Sequence, residues 1–194
     1  MKTKKTTNLE RKIRRATHKT GVFQCFEVTI GFFGNERVDF MTYDTKGIFR
    51  CYEIKVSKAD FHSGAAKSFV GHYNYYVLTR DLYNQVKDEI PDWVGVYVGE
   101  SLVKKPKKQD LSGKVYTYRR SVNGYSTELS VPWEEMLKES MIRSLYRDAD
   151  KYLNTVYGLS CEMTLEEIKE EKERTKKLLE KYKKKNIEDG FDFE

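Results

Sequence analysis

Three charged side chains stand where strand interiors normally exclude charge. In RVDFMTYDTKGIFRCYEIKV, residues 37–56, Asp39 interrupts one apolar and aromatic run, and Glu53 and Lys55 interrupt the next. Two carboxylates that face each other repel, and in a buried pair one is forced to stay protonated. A hard divalent cation removes that conflict. Mg²⁺ takes oxygen ligands and is held by one or two carboxylates plus phosphate oxygens. Lys55 follows Glu53 by two residues and points the same way, where its ammonium could hold an attacking water or steady charge developing on a phosphate. The chemistry that employs all three residues is metal-assisted hydrolysis of a phosphodiester.

That chemistry needs the three side chains on one surface, and a hairpin provides it. RVDFMTYD and IFRCYEIKV flank Thr45-Lys46-Gly47. A three-residue loop with Gly in the left-handed position is a common hairpin connection. It pairs Asp44 with Ile48 and sets Asp39 directly opposite Glu53. Side chains alternate with period two, so Asp39, Glu53 and Lys55 leave one face. Val38, Phe40, Ile48, Tyr52 and Ile54 leave the other, as a packing surface. The same residues also fit a solvated strand edge protected by a Glu–Lys pair.

The neighbouring segments place this hairpin in a mixed sheet. NLERKIRRATH, residues 8–18, contains good helix formers, with Asn8 as a candidate cap. GVFQCFEVTIGFF alternates as a strand. Ser57 caps a helix expected through KADFHSGAAKSFV, with Asp60 completing a weak capping box. YNYYVLT, residues 73–79, reads as a strand. RDLYNQVKDEI reads as a short helix stopped by Pro91, and WVGVYVG as a further strand. Helices alternating with strands indicate an α/β fold. Residues 101–130 then form a basic loop or hairpin insertion, with a turn across Asn123-Gly124. Residues 131–194 form a helical extension that begins near Pro132, with Leu137, Met141, Leu145 and Tyr152 at helical spacing. A second helix, with a capping box at Thr164 and Glu167, follows there.

Composition bounds the function classes. Of 194 residues, 39% are hydrophobic and 34% charged, enough for a core beneath a heavily charged surface. The net charge of +6 suits a polyanionic partner. Three unevenly spaced cysteines argue against a disulfide framework. The basic N-terminus lacks the apolar stretch of a signal peptide, and no apolar run reaches membrane-spanning length. A reduced, cytoplasmic protein is expected. His18, His62 and His72 lack metal-ligand spacing. Lys104, Lys105, Lys107, Lys108, Lys114, Arg119 and Arg120 form a basic patch that favours phosphate backbones, as does the N-terminal segment.

An Asp, a hairpin and then Glu-x-Lys on the next strand resemble the PD-(D/E)XK nuclease superfamily. Arg37, Asp39, Glu53, Ile54, Lys55, Ser57, Asp60, Phe61 and Lys67 narrow the match. That pattern is similar to MmcB-like DNA-repair proteins and related phage nucleases, over roughly residues 8–99. Val38 stands where the superfamily's name would have Pro. The resemblance implies a restriction-endonuclease-like core of αβββαβ order in residues 1–100, Mg²⁺ or Mn²⁺ as cofactor, and DNA as substrate. It assigns Asp39, Glu53 and the Ile54 backbone to the metal and Lys55 to the attacking water. It offers Glu27 as a third carboxylate, equally readable as a polar strand residue. More loosely it offers Glu10, by analogy with archaeal Holliday-junction resolvases; an i,i+4 partnership of Glu10 with Arg14 is the simpler reading. Lys58 and Lys67 are candidate phosphate contacts beside the site. Pairing with a second copy is a further expectation, since duplex-cleaving relatives often pair. The expected activity is a DNA-repair or phage-processing deoxyribonuclease; the alternative is a DNA-binding or recruitment protein that keeps the fold without catalysis.

Overall fold

The computed structural model describes residues 3–32, 34, 36–63, 68–122, 125–158, 169–170, 172–178 and 180. By contacts the chain forms two compact units, Met1–Tyr146 and Arg147–Glu194. In the second unit the described residues are helical up to Tyr157, and again at 169–170, 172–178 and 180. The capping box expected at Thr164 and Glu167 lies outside the described residues.

The first unit is an α/β fold built on a six-stranded mixed sheet in the order β1-β2-β3-β4-β5-β6. Strands β1 (Val22–Thr29), β2 (Arg37–Asp44) and β3 (Phe49–Lys55) form an antiparallel meander. Strands β4 (Tyr73–Leu78) and β5 (Gly95–Val98) continue parallel to β3, each reached by a helical crossover. Strand β6 (Ser101–Lys104) turns back antiparallel at the edge. The stretch expected as an insertion therefore begins as the last strand of the sheet. At four residues, mostly exposed, that strand is too short to show a period. Strands β7 (Val115–Val122) and β8 (Tyr125–Pro132) form a separate hairpin in which Val122 faces Tyr125. The turn residues themselves, 123 and 124, lie outside the described residues.

Helix α1 (Lys4–Thr17) starts four residues ahead of the expected span, because Thr3 rather than Asn8 caps it by accepting the Thr6 N–H. Its apolar stripe, Leu9 and Ile13, packs on Phe40, Tyr52, Ile54, Tyr75 and Val77. Burying each of these side chains contributes roughly 1.5–3 kcal/mol. The opposite face carries two clusters. One gathers Tyr76, Leu78, Phe61 and residues of α3 (Arg80–Val86). The other gathers Cys25, Met41, Phe49 and Cys51 with Met136, Leu137 and Met141 from α4 (Trp133–Tyr157). The start of α4 is thus core of the first unit. Leu145 and Tyr152, read as anchors from their spacing, are exposed.

Two further expectations are corrected. Val38 packs with Val28 and Ile30 in the cluster of Met41 and Cys51, not with Phe40. The cause is Glu27, whose φ of 54° breaks the alternation of β1, so that Cys25 and Val28 bury into the same cluster. Helix α2 is also short, Lys58–Phe61, although Ser57 caps it as expected through the Asp60 N–H. Residues 64–67 lie outside the described residues, and Ser68 and Val70 are engaged elsewhere, by Glu53 and Trp133. Among the described residues no helix is long and apolar enough to cross a membrane.

Candidate functional site

The register of the hairpin decides what its charged side chains can share. Strands β2 and β3 pair Phe40 with Tyr52, Met41 with Cys51, Thr42 with Arg50 and Tyr43 with Phe49. Continued by one residue, the ladder sets Asp39 opposite Glu53. Gly47 makes this register possible: its φ of 80° is the left-handed value the loop requires, and its N–H bonds the Asp44 carbonyl at 2.9 Å.

At this end of the hairpin a side chain takes over from the ladder. The Ile54 N–H donates to Asp39 Oδ2 at 2.8 Å. Glu53 is 2% exposed, and its Oε1 accepts the Ser68 N–H at 3.3 Å. Lys55 is also buried. Its Nζ lies 3.7 Å from Glu53 Oε2 and 3.7 Å from Asp60 Oδ1. Asp60 in turn accepts the Val56 N–H through Oδ2. The start of α2 therefore supplies a second carboxylate that positions the Lys55 ammonium.

Electrostatics mark the pair as strained in its ionised form. Burial, with repulsion from Asp39 added, pushes the Glu53 carboxyl up to about 8, against the opposing pull of Lys55 and the Ser68 N–H. Burial also raises Asp39, opposed by the Ile54 N–H and Lys55 and reinforced by Glu27. Both shifts signal negative charge with too few donors around it.

Glu27 faces Asp39 across β1 and β2, between the pairs Phe26–Phe40 and Val28–Val38. Among the described residues it alone combines a side chain with positive φ. Such backbone strain persists where surrounding structure enforces it and clusters at functional sites. Its carboxylate forms an ion pair with Arg37 at 2.7 Å. The arginine two residues before Asp39 thus serves to hold Glu27.

The remaining sequence candidates scatter. Glu10 sits on α1, which packs on the opposite face of the sheet. Lys58 is exposed at the start of α2, and Lys67 lies outside the described residues. Lys104 is committed elsewhere: its Nζ donates to the Ile90 and Pro91 carbonyls at 3.0 and 2.9 Å, closing the turn after α3. Lys105, Lys107 and Lys108 are exposed on the loop after β6. Arg119 and Arg120 are exposed on β7, Arg119 facing Glu128 at 3.9 Å.

Sequence reading missed Ser68 as a donor to Glu53 and undervalued Asp60. The Ser57-x-x-Asp60 box was a visible signal for Asp60; nothing local marks Ser68, whose role depends on a 15-residue return of the chain.

Among the described residues no three His, Cys, Asp or Glu side chains group closely enough to hold a metal by themselves. Two carboxylates suffice for Mg²⁺, which keeps waters and completes its shell with substrate oxygens. Asp39 and Glu53 fit that role. Both are oxygen donors, both are short of hydrogen-bond donors, and each carboxylate retains acceptor sites beyond its one backbone N–H.

No family profile matches the chain, and no curated protein matches it. Among solved structures the chain is similar to a protein of unknown function from Silicibacter pomeroyi, with a TM-score of 0.57 over 85% of this chain and 99% of that one. At 16% identity the likeness shows a shared α/β fold and nothing of chemistry.

Proposed function

We propose that this protein is a Mg²⁺- or Mn²⁺-dependent deoxyribonuclease with a restriction-endonuclease-like core of the PD-(D/E)XK kind, acting in DNA repair or phage DNA processing. The observation that carries this reading is the mutually repelling pair of half-buried Asp39 and buried Glu53, with Lys55 beside it. A structural role alone gives no reason to desolvate two facing carboxylates with one ammonium between them, whereas a shared divalent cation does.

Asp39 and Glu53 would hold the ion, joined by the Ile54 backbone carbonyl. When bound, a divalent cation lowers the pKa of a water and neutralises charge growing on the phosphate. Lys55, held between Glu53 and Asp60, donates a hydrogen bond to the attacking water and steadies its lone pair toward phosphorus. Ser68 and the Ile54 N–H fix one oxygen of each carboxylate, which leaves Asp39 Oδ1 and Glu53 Oε2, the latter shared with Lys55, for the ion. Asp60 and Ser57 keep the ammonium aimed by anchoring the start of α2.

Incubation with plasmid, forked and single-stranded DNA tests this, with Mg²⁺, Mn²⁺ or EDTA present. The expected result is metal-dependent cleavage that Asp39→Ala and Lys55→Ala each abolish. DNA binding without cleavage under every metal condition overturns the enzymatic reading and leaves a recruitment role.

A further inference from the structure

The three parallel strands end together. Lys55, Leu78 and Val98 are the last residues of β3, β4 and β5, and they are neighbours in register. In open α/β sheets the crevice beyond the carboxyl ends of the strands is where ligands bind. Here a groove of about 280 Å³ opens beyond β4 and β5, between α1 and the start of α3.

Its charged lining is Lys5, Lys12, Arg80 and Asp81. The cations outnumber the acid three to one. Among the described residues none of these three cations is held in an ion pair, whereas Arg15, Arg37 and Arg50 are all committed to carboxylates. The floor is Gly99, whose φ is 63° and whose N–H closes on the Leu78 carbonyl at 3.1 Å. The Lys12 side chain lies across it, with Nζ 3.6 Å from where a Cβ would stand. The groove borders Asn8, and Asn8 also borders the surface of Arg11, Arg14 and Arg15 on α1.

From these observations we infer that the Lys5–Lys12–Arg80 groove is a binding site for the sugar-phosphate backbone of the DNA strand that enters the Asp39–Glu53–Lys55 site. The inference rests on the proposed nuclease reading for its direction. Strands lie about 5 Å apart, so the groove's lining begins at Leu78, about 5 Å from Lys55, and reaches Val98 about 10 Å from Lys55 along the sheet edge. That distance spans about three phosphates at ~3.4 Å of rise per phosphate on one strand. Uncommitted ammonium and guanidinium groups at that spacing hold phosphates without reading bases.

The test measures binding of the full chain, in EDTA, to a fluorescein-labelled oligonucleotide as single strand and as duplex. Lys12→Glu/Arg80→Glu is compared with Lys46→Glu, an exposed lysine at the far end of the hairpin. The double variant is expected to bind at least about tenfold more weakly at low salt. The slope of log affinity against log salt should flatten by about 0.9 per lost contact on duplex and about 0.7 on single strand. Lys46→Glu should change neither. Lys12→Gln/Arg80→Gln, which removes charge without reversing it, should show the same slope change if the glutamate pair disturbs folding. Wild-type affinity and slope in the double variants, an equal loss in Lys46→Glu, or no binding by the wild type overturns the inference. Because cleavage is not read, the two proposals fail separately. Lost binding in the groove variants beside absent metal-dependent cleavage sinks only the nuclease. Cleavage abolished by Asp39→Ala beside unaltered binding in the groove variants sinks only the groove.

Discussion

The two ends of one hairpin treat their carboxylates in opposite ways. At the turn, Asp44 Oδ1 accepts the N–H groups of Lys46 and Ile48 at 2.9 and 3.1 Å, and Oδ2 accepts Arg50 at 2.7 Å. Burial works against its charge, but Arg50 and the two backbone donors prevail and hold the carboxyl below its ordinary range. At the other end, Asp39 and Glu53 have one backbone donor each, and both carboxyls are raised. The strands and the residue types are alike, and desolvation weighs more heavily on Asp39 and Glu53 than on Asp44. The difference is whether the donors the fold supplies outweigh burial: Arg50 and two N–H groups do so for Asp44, whereas one ammonium, Lys55, is set against two carboxylates at the other end. Asp44 is completed from within the chain and secures the turn. Asp39 and Glu53 share Lys55 and remain raised, which suits residues that bind something from outside.

Exchanging functional for structural acids should separate the two ends most sharply. Asp39→Asn keeps the shape and removes the charge, and is expected to lower Mg²⁺-dependent cleavage by roughly 10²–10⁴-fold. Asp44→Asn should leave the cleavage rate of the folded protein unchanged while lowering its melting temperature. Equal loss of cleavage in both, with folding intact, would erase the contrast.

Stability against pH comes next in size. The raised Glu53 carboxyl binds a proton in the folded state that the unfolded chain releases near its ordinary value of 4.5. Without metal, stability should therefore fall as pH rises from about 4.5 to about 8. Glu53→Gln should flatten that fall and, above pH 8, make the metal-free protein more stable by roughly 1–3 kcal/mol. Denaturant unfolding in EDTA across the range measures it; a wild type whose stability is flat or rises through this window would contradict the strained pair.

Arg50→Ala leaves Asp44 with its backbone donors alone and should cost roughly 1–3 kcal/mol at neutral pH. The sign with pH is opposite to that of Glu53. The depressed Asp44 carboxyl stabilises the fold above its ordinary value, and that contribution is lost as pH falls through its lowered value. In Arg50→Ala the acid-induced loss should begin at higher pH. Smallest is the cap: Ser57→Ala removes the acceptor for the Asp60 N–H and should cost about 1 kcal/mol, read as a modest drop in melting temperature.

The hairpin was legible because its signals are local. Thr45-Lys46-Gly47 fixes the loop, and the expected register holds from Asp44 to Phe40. The faces of Phe40, Tyr52 and Ile54 follow from the same alternation. What was not legible depends on distant partners. Strand β6 is short and exposed, and is a strand only because β5 presents an edge to it. The burial of Leu137 and Met141 was visible as spacing, but that of Met136 and their shared partners Cys25 and Cys51 were not. The reversal at Glu27 has no sequence signature, since a glutamate is an unfavourable residue for positive φ. Lys104, one of a run of lysines, is distinguished only by the two carbonyls it meets in space.

Calorimetric titration with Mn²⁺ goes straight to the claim that Asp39 and Glu53 share one cation. The wild type should bind a single Mn²⁺ per chain, more weakly as pH drops below about 8 because Glu53 must first lose its proton. Asp39→Asn and Glu53→Gln should each abolish the heat of binding. No Mn²⁺ binding by the folded wild type, or isotherms that the two substitutions leave unaltered, would contradict it.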